Sequence, residues 1–396
     1  MKWLKRAVRD EKGVSLIVVA IAIVVVFGFA ILAIDLSMMQ LAKTQLQNAA
    51  DAAALAGAVI LFTSNGDQTA ATDEAIRVAG LNKAVQDHAQ RPVNIGPGDV
   101  TFPGGDSVTV ITHRTEATGD AVKLFFANIL GLGRESDMRA KATAAVSLIC
   151  GTDCLRPFCP PDRWDDVDSN EIWTPDDVYI DLNENGFWDP GEPLTEDYNE
   201  NGVWDPAEDY NPYTTGYKAP DDVGTQITLK LNNSKQSPRS CFYYSVRYGP
   251  VGTDTIYTGA DKYNEFICTV CEPFIVNIGD QLQMEPGKMV GPTDDGLQCL
   301  IELDPTAEWD PVTGTVINSA YPTSPRIIKA PAFDPTLEVQ DCHGVDCVTV
   351  TKIMVIFVEQ SLHAGEIVGR FMKTITEGVP DPDCPGGFMS TVLLVE

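Results

Sequence analysis

The chain is poor in positive charge, and this shortage argues against one large class of functions. It has 28 lysines and arginines against 56 aspartates and glutamates, which gives a formal net charge of −28 at pH 7. Proteins that bind nucleic acid need clustered basic side chains to contact the phosphates. The composition therefore predicts that nucleic acid is not a partner, and the excess of carboxylates favours divalent cations instead.

The chain also lacks the sequence patterns that usually carry catalysis. It contains no H-E-x-x-H zinc motif and no G-x-S-x-G nucleophile elbow. Gly287-Lys288-Met289 lacks the glycine spacing and the hydroxyl residue of a phosphate-binding loop. The four histidines are scattered along the chain. We therefore predict that the protein is not an enzyme.

One long run near the N-terminus lacks charge altogether. Residues 14–34 read VSLIVVAIAIVVVFGFAILAI, which is 21 residues and enough to cross about 30 Å of hydrocarbon as a helix. Residues 1–13 contain five basic residues, and Asp35 follows the run. The positive-inside rule therefore predicts a cytoplasmic tail at 1–13, with everything after Asp35 outside the cytoplasm.

A cleaved signal peptide is the alternative interpretation of this run. Signal peptides usually have an apolar region of about 7–15 residues, followed by a cleavage site with small residues. The run here is longer, and a helical pattern continues beyond it without a break. We therefore expect a retained transmembrane helix at residues 14–34 and a single-pass protein of the inner membrane, with most of the chain in the periplasm.

The ten cysteines all lie far beyond the apolar run, where an oxidising compartment would pair them as disulfides. Two alternatives remain open. Cys268 and Cys271 have the spacing of a redox or zinc pair, and Cys342 and Cys347 flank a histidine that could join them on zinc. Neither pair has a second pair at zinc-finger spacing, so disulfides are the expectation.

Residues 35–149 have the pattern of a small α+β unit led by a long helix. Residues 35–62 are rich in alanine, leucine and glutamine and contain no proline, so the helix should continue from the apolar run and end at Gly57 or at the turn over 64–67. A second helix is expected from Thr72 to about residue 89, and a short amphipathic helix over 120–130. Alternating apolar residues predict strands near 108–112 and 139–149.

Three stretches between residues 11 and 58 resemble the N-terminus of the TadE/TadG-like proteins of Flp, or tight-adherence, pilus systems. They are Glu11-Lys12-Gly13, Ala33-Ile34-Asp35 and the string LQNAADAAALAGA at residues 46–58. The resemblance implies a pilin-like membrane-proximal unit and a role in assembling or anchoring a pilus. It further implies the inner membrane and other pilus-assembly or pseudopilin proteins as partners.

Some larger proteins of that family carry a von Willebrand-type domain with a D-x-S-x-S metal motif. Two stretches can be compared with it, Asp35-Leu-Ser37-Met-Met39 and Asp166-Val-Asp168-Ser-Asn170, and neither matches. We therefore do not expect such a domain.

An acidic insert contains the clearest chemical pattern. Residues 161–210 hold 17 acidic residues and one basic residue, and a twelve-residue motif occurs twice within them. Each copy places oxygen-bearing side chains at positions 1, 3, 5, 9 and 12 and glycine at position 6. That is the spacing of a calcium loop, in which position 7 contributes its backbone carbonyl and position 12 a bidentate carboxylate. The predicted Ca²⁺ ligands are Asp181, Asn183, Asn185, Phe187, Asp189 and Glu192 in the first copy, and Asp197, Asn199, Asn201, Val203, Asp205 and Glu208 in the second.

The two copies are too close together for an ordinary pair of EF-hands. Four residues, 193–196, separate them, so the two helices that usually lie between such loops cannot fit. Compact tandem calcium loops are the expectation, and a solvated acidic linker is the alternative. Trp188 and Trp204 recur at position 8 and are expected to pack the two turns together.

From about residue 221 the pattern changes to short apolar or alternating runs separated by proline and glycine, which predicts a β-rich unit braced by disulfides. The expected fold class is therefore α+β: a long N-terminal transmembrane helix with a small pilin-like unit, a calcium-loop insert and a distal, mainly β domain. The expected segments are a basic tail at 1–13, a transmembrane helix at 14–34, the α+β unit at 35–149, the acidic segment at 150–220 and the β-rich domain at 221–396.

These expectations together predict a non-enzymatic, membrane-anchored component of Flp/Tad-type pilus biogenesis or anchoring, with a periplasmic region stabilised by calcium. Two alternatives remain. The first is a surface adhesin or minor pilin-like subunit, which would need release from the membrane. The second is an extracytoplasmic binding protein tethered by a pilin-like anchor, which a defined ligand pocket in the β-rich domain would favour.

Overall fold

The computed structural model divides the chain into two compact units, residues 1–146 with 392–396 and residues 147–391. The α+β fold class is confirmed, with a long apolar helix at the N-terminus and a β-rich remainder that contains disulfides. The pilin-like character of the first unit stays a prediction. The described residues are 11–87, 89–124, 134–167, 169, 171–198, 200, 202–232, 239–249, 257–271, 274–337 and 339–395.

In the part of the first unit that the structure describes, two α-helices combine with short strands. The described strands include two small two-stranded antiparallel sheets, and β4 (Ser107–Arg114) pairs antiparallel with β7 (Met138–Thr152) from Ser107↔Ala145 to Arg114↔Met138. The strands predicted near 108–112 and 139–149 are thus confirmed. The elements are α1 (Glu11–Thr63), α2 (Gln68–Leu81), β1 (Lys83–Gln86), β2 (Ala89–Pro92), β3 (Val100–Thr101), β4 (Ser107–Arg114), β5 (Val122–Lys123), β6 (Glu135–Ser136) and β7 (Met138–Thr152).

Helix α1 is continuous over 53 residues, because nothing in its sequence breaks it. It ends at Thr63, where the turn predicted over 64–67 begins. Its apolar run is exposed along most of its length, with Val24 and Phe29 each 70% accessible. Among the described residues, α1 is the one helix long and apolar enough to cross a membrane by length and composition.

The second half of α1 packs against α2 and β4 through alanine side chains. Ala50, Ala53 and Ala54 are fully buried in one cluster with residues of both elements. Small side chains allow the backbones to approach closely, since the spacing of packed helices depends on the residues at the contact. At Gly57 an added Cβ would lie 3.1 Å from Val108 Cγ1. The small-residue string at 46–58 therefore forms the packing face of this unit.

We expect Ala53→Leu to destabilise this unit by about 1–3 kcal/mol, because the extra carbons overpack a closed contact. Asn48→Leu is the matched control, since Asn48 is exposed on the same helix and should change stability by no more than about 0.5 kcal/mol. Hydrogen exchange of the amides in α1 and α2 of the full-length protein measures both effects. Equal exchange in the two variants would show that the alanine face is loosely packed.

The predicted second helix is misplaced at both of its ends. Helix α2 begins at Gln68 rather than at Thr72, because the Asp67 carboxylate accepts the amides of Thr69 at 2.9 Å and Ala70 at 3.1 Å. It stops at Leu81, and the chain turns into the hairpin of β1 and β2 where the sequence predicted helix to about residue 89.

A tertiary contact explains why the chain leaves the helical conformation after Leu81. The side chain of Gln45 on α1 accepts the amide of Val85 at 2.9 Å, which docks the β1–β2 hairpin against the long helix. The helix predicted over 120–130 is wrong at Val122–Lys123, which pair as β5 with β6. The rest of that prediction, over residues 125–130, lies outside the described residues.

The second unit is mainly β. An eight-stranded sheet has the order β14 (Gln281–Gln283), β19 (Asp346–Ser361), β20 (Ile367–Phe371), β11 (Gln226–Leu231), β12 (Phe242–Ser245) and β8 (Phe158–Cys159), with β17 (Ile327–Phe333) and β18 (Gln340–Asp341) also paired to β19. Strand β19 is its centre, and its run of buried apolar residues matches the sequence pattern. The elements are β8 (Phe158–Cys159), β9 (Val178–Tyr179), β10 (Leu194–Glu196), β11 (Gln226–Leu231), β12 (Phe242–Ser245), α3 (Ala260–Cys268), β13 (Val276–Asn277), β14 (Gln281–Gln283), α4 (Val290–Leu303), β15 (Glu308–Asp310), β16 (Thr315–Ile317), β17 (Ile327–Phe333), β18 (Gln340–Asp341), β19 (Asp346–Ser361), β20 (Ile367–Phe371), β21 (Thr374–Ile375), β22 (Val379–Pro380) and β23 (Met389–Val395).

Eight of the ten cysteines form disulfides, so the preference for disulfides over zinc at the two closely spaced pairs is confirmed. Cys159 and Cys241, both within the described part of the chain, form none. Cys159 is buried on β8, where burial raises the pKa of its thiol and keeps it unreactive. The bonds are Cys150–Cys384, Cys154–Cys271, Cys268–Cys299 and Cys342–Cys347.

Candidate functional site

The first predicted calcium loop, residues 181–192, closes on itself through its two terminal carboxylates. Asp181 Oδ2 accepts the amide of Gly186 at 2.8 Å. Glu192 accepts the amides of Leu182 at 2.8 Å and Asp189 at 2.9 Å, one on each carboxylate oxygen. The first and last acidic residues of the motif therefore hold the loop in a compact turn.

The side chains at positions 3, 5 and 9 of this loop converge on one point. The side-chain amides of Asn183 and Asn185 each lie 2.7 Å from Asp189 Oδ2, to which they donate. Amide oxygen and nitrogen positions follow from the surrounding hydrogen bonds, so rotation of either amide would present its oxygen to the same point. Phe187, at position 7, is 75% exposed, consistent with a role for its backbone carbonyl alone.

Both loops bend at the same two positions. Positions 4 and 6 have left-handed backbone conformations in each copy, and glycine occupies position 6, where its lack of a Cβ removes the steric cost. The φ angles are 57° at Glu184, 81° at Gly186, 58° at Glu200 and 78° at Gly202.

The second predicted loop, residues 197–208, begins like the first but is closed by a different carboxylate. Asp197 Oδ2 accepts the amide of Gly202 at 2.7 Å, as Asp181 does for Gly186. The amides of Tyr198 and Asp205 donate to Asp177 at 2.9 and 3.0 Å. Asp177 therefore makes in the second loop the contacts that Glu192 makes in the first.

Glu208, the acidic residue at position 12 of the second motif, contacts a different segment. It accepts the amides of Val167 and Thr174, each at 3.1 Å, and its backbone carbonyl accepts the indole N–H of Trp173 at 3.1 Å. Asp166 Oδ2 accepts the amide of Glu171 at 3.1 Å. The contacts of Asp166, Glu171 and Thr174 thus mark a third turn with a similar hydrogen-bond pattern, which Glu208 closes.

The tryptophans mark the same repeat in all three turns. The indole of Trp188 donates to the carbonyl of Glu192 at 3.2 Å, and that of Trp204 to the carbonyl of Asp177 at 2.7 Å. Since Trp173 donates to the carbonyl of Glu208, each turn has a tryptophan that donates to the backbone carbonyl of the residue that closes it. Each of these hydrogen bonds holds a tryptophan against the residue that closes its turn. The sequence analysis predicted instead that Trp188 and Trp204 pack the two turns together.

The sequence analysis missed Asp177 and the turn that begins at Asp166. The signal was present, because Trp173, Trp188 and Trp204 recur at nearly constant spacing and Asp166-x-Asp168-x-Asn170 repeats positions 1, 3 and 5 of the motif. Four residues with amide or carboxylate side chains in these turns lie outside the described residues. They are Asp168, Asn170, Asn199 and Asn201.

The donor set determines which ion the loops suit. In the described part of the chain, no group of three or more His, Cys, Asp or Glu side chains is arranged to hold a metal ion. The first loop instead alternates the carboxylates of Asp181, Asp189 and Glu192 with two side-chain amides. Such a set offers oxygen donors alone, which suits calcium rather than zinc or copper.

Sequence comparison adds one finding, and it concerns the long helix rather than the acidic turns. The family model described as "Putative Flp pilus-assembly TadE/G-like" matches residues 13–59, which lie within α1. The resemblance inferred from the residues around Gly13, Asp35 and 46–58 is thereby confirmed over this stretch. No curated protein and no solved structure matches the chain.

Proposed function

We propose that the chain is a membrane-anchored, non-enzymatic component of Flp/Tad-type pilus biogenesis or anchoring. The observation that carries this proposal is the family match over residues 13–59. The matched stretch is also the part of α1 that joins an exposed apolar run to the alanine packing face of the first unit. One continuous helix thus serves as both anchor and core of the membrane-proximal unit.

Charge and cysteine chemistry support an inner-membrane location with the bulk of the chain in the periplasm. Five basic residues within 1–13 favour a cytoplasmic N-terminus under the positive-inside rule. The second unit contains four disulfides, which persist in oxidising compartments such as the bacterial periplasm. The exposed apolar face of α1 would contact lipid and the helices of other pilus-assembly or pseudopilin proteins.

We further propose that the two acidic loops bind calcium and make the segment over residues 160–220 rigid. A bound calcium ion would supply the divalent charge that offsets the clustered carboxylates. In the first loop the holding groups are the five predicted side chains and the carbonyl of Phe187. In the second loop they are the predicted residues from Asp197 to Asp205. Glu208 is the predicted twelfth-position ligand there, and Asp177 is the candidate that the hydrogen bonds favour.

The assembly role is tested by counting surface filaments by electron microscopy on cells that lack the gene. Filaments should be lost and then restored by the full chain. Val24→Leu should restore them as well, whereas Val24→Arg should not, because an arginine at the centre of a membrane helix costs about 2.5–3.5 kcal/mol. Normal filaments in cells that lack the gene would reject the assembly role and favour a surface adhesin.

A further inference from the structure

A lysine and an aspartate meet in the interior of the second unit. Asp162 and Lys352 are both 0% accessible, and Lys352 Nζ lies 2.7 Å from Asp162 Oδ2. Lys352 lies on the central strand β19, and Asp162 comes shortly before the acidic turns. The chain therefore brings an amine and a carboxyl group together across 190 residues of sequence, counted as 352 minus 162.

Two glycines let the backbone close tightly over this pair. A Cβ at Gly216 would collide with both Asp162 Oδ2 and Lys352 Nζ, and one at Gly386 would lie 2.7 Å from Lys352 Cδ. Lys352 Nζ also donates to the carbonyl of Tyr217 at 2.5 Å, which fixes the amine beside the carboxyl group. Groups held in this way are oriented for reaction without further loss of freedom.

The two oxygens of Asp162 have different surroundings. Oδ1 accepts two backbone amides, those of Tyr217 and Arg163, each at 2.9 Å. Oδ2 faces the amine of Lys352 and accepts the hydroxyl of Tyr210 at 3.2 Å, and that hydroxyl lies 2.9 Å from Thr351 Oγ1. A pair of backbone N–H groups on one oxygen is the arrangement that stabilises a tetrahedral oxyanion in acyl transfer.

Burial moves both groups towards their neutral forms. It raises the pKa of Asp162 and lowers the pKa of Lys352, although the attraction between the two partly opposes both shifts. A buried ion pair gains little, since desolvation offsets much of the Coulomb energy. The neutral forms are a primary amine, which is a nucleophile, and a carboxylic acid, whose hydroxyl can leave as water.

We propose that Asp162 and Lys352 are joined by an intramolecular amide bond. Lys352 Nζ attacks Asp162 Cγ, a C–N bond forms, and the charge that develops on Oδ1 is held by the amides of Tyr217 and Arg163. The Cγ–Oδ2 bond then breaks, and Oδ2 leaves as water with the acid proton and one proton from Nζ. The Tyr210 hydroxyl is positioned to pass that proton to Oδ2. Condensation of an amine with an acid needs no oxidant or reductant.

The bond would tie the entry of the acidic segment to the central strand of the β sheet. Unlike the four disulfides, it would persist under reducing conditions. It would also leave one neutral amide in the interior, so that neither group can be buried as a charge with its desolvation cost.

The test is the mass of the full-length protein after reduction and denaturation. The expected mass is lower than the sequence mass by one water molecule, and a protease digest should contain the peptide of Asp162 joined to that of Lys352. Lys352→Arg and Asp162→Ala should each have the full mass expected of their sequences. This readout needs no folded variant, because the wild-type digest alone identifies the bond.

Tyr210→Phe tests the assigned positioning role. It keeps the ring but removes the hydroxyl, so newly synthesised protein should lose water at least about tenfold more slowly, since a positioned acid or base contributes about 10²–10⁴-fold. A wild-type protein of full mass with an unlinked Lys352 peptide would overturn the proposal. So would a water loss that persists in Lys352→Arg or maps to other residues.

Discussion

Replacing Asp181 and Asp197 together with alanine should abolish calcium-dependent protection of residues 160–220 from proteolysis. Each of these residues is the first ligand of its motif, and each holds the amide of the glycine at position 6. In the wild-type protein, calcium at a hundred times its dissociation constant should stabilise the loops by about 2.7 kcal/mol per site. Cleavage of the full-length protein with and without a chelator measures the difference, and calorimetry measures the heat of binding.

A pair of neutralising variants then shows which carboxylate serves the second loop. Asp177→Asn and Glu208→Gln each remove one charge and keep the shape of the side chain. We expect Asp177→Asn to weaken calcium binding at the second loop roughly tenfold or more, since even outer partners of metal ligands are worth about 10–100-fold. Glu208→Gln should have the smaller effect, because Glu208 contacts Val167 and Thr174 instead.

One result would contradict the calcium prediction, and another would contradict the assignment of Asp177 to the second loop. If the wild-type protein gives no heat with millimolar calcium and is cleaved equally with and without chelator, residues 160–220 are a solvated acidic segment. If Glu208→Gln weakens binding more than Asp177→Asn, the order of residues in the motif determines the ligands, and the hydrogen bonds around Asp177 have only a structural role.

Loss of the disulfide between Cys150 and Cys384 should destabilise the second unit by about 2–5 kcal/mol. It joins residues 234 apart in sequence, so it removes much more freedom from the unfolded chain than the Cys342–Cys347 bond, whose residues are five apart. The loop-entropy relation makes the difference between the two about 3 kcal/mol at 25 °C. Unfolding by urea of the full-length protein, with each pair replaced by alanine, measures both losses.

The Cys342–Cys347 double variant is the matched control, because it removes the same number of sulfur atoms from the same unit. A smaller loss for that pair would support the dependence on loop length. Equal losses would show instead that contacts in the native state, rather than freedom of the unfolded chain, determine what each bond contributes.

Local sequence was sufficient for the helix and strands whose pattern is strong. Helix α1 follows from an uninterrupted apolar run and an alanine-rich continuation without proline. Strands β4, β11 and β19 follow from alternating or continuous apolar residues. These patterns are reliable because each residue needs only its neighbours in sequence to favour the conformation.

Sequence failed where a distant contact outweighed local preference. Residues 83–86 favoured helix by pattern, yet they form a strand that Gln45 of the long helix binds through the amide of Val85. The start of α2 was misplaced by four residues for a local reason, because Asp67, not Thr72, caps it. Side chains that hydrogen-bond to the backbone compete with the hydrogen bonds of a helix. Which side chain forms such a bond depends on the surrounding fold.

In the acidic segment too, the sequence predicted some features of the candidate site and the tertiary structure decided others. The motif spacing by itself predicted two of the three turns and the oxygen-bearing side chains within them. Only the tertiary structure decided that Asp177 closes the turn of Asp197 and that Glu208 closes the turn of Asp166. It also decided how eight of the cysteines pair and that Asp162 contacts Lys352. A motif describes residues that are close in sequence. Carboxylates, thiols and amines instead bind the partners that lie close in the folded protein, and those partners can be distant in sequence.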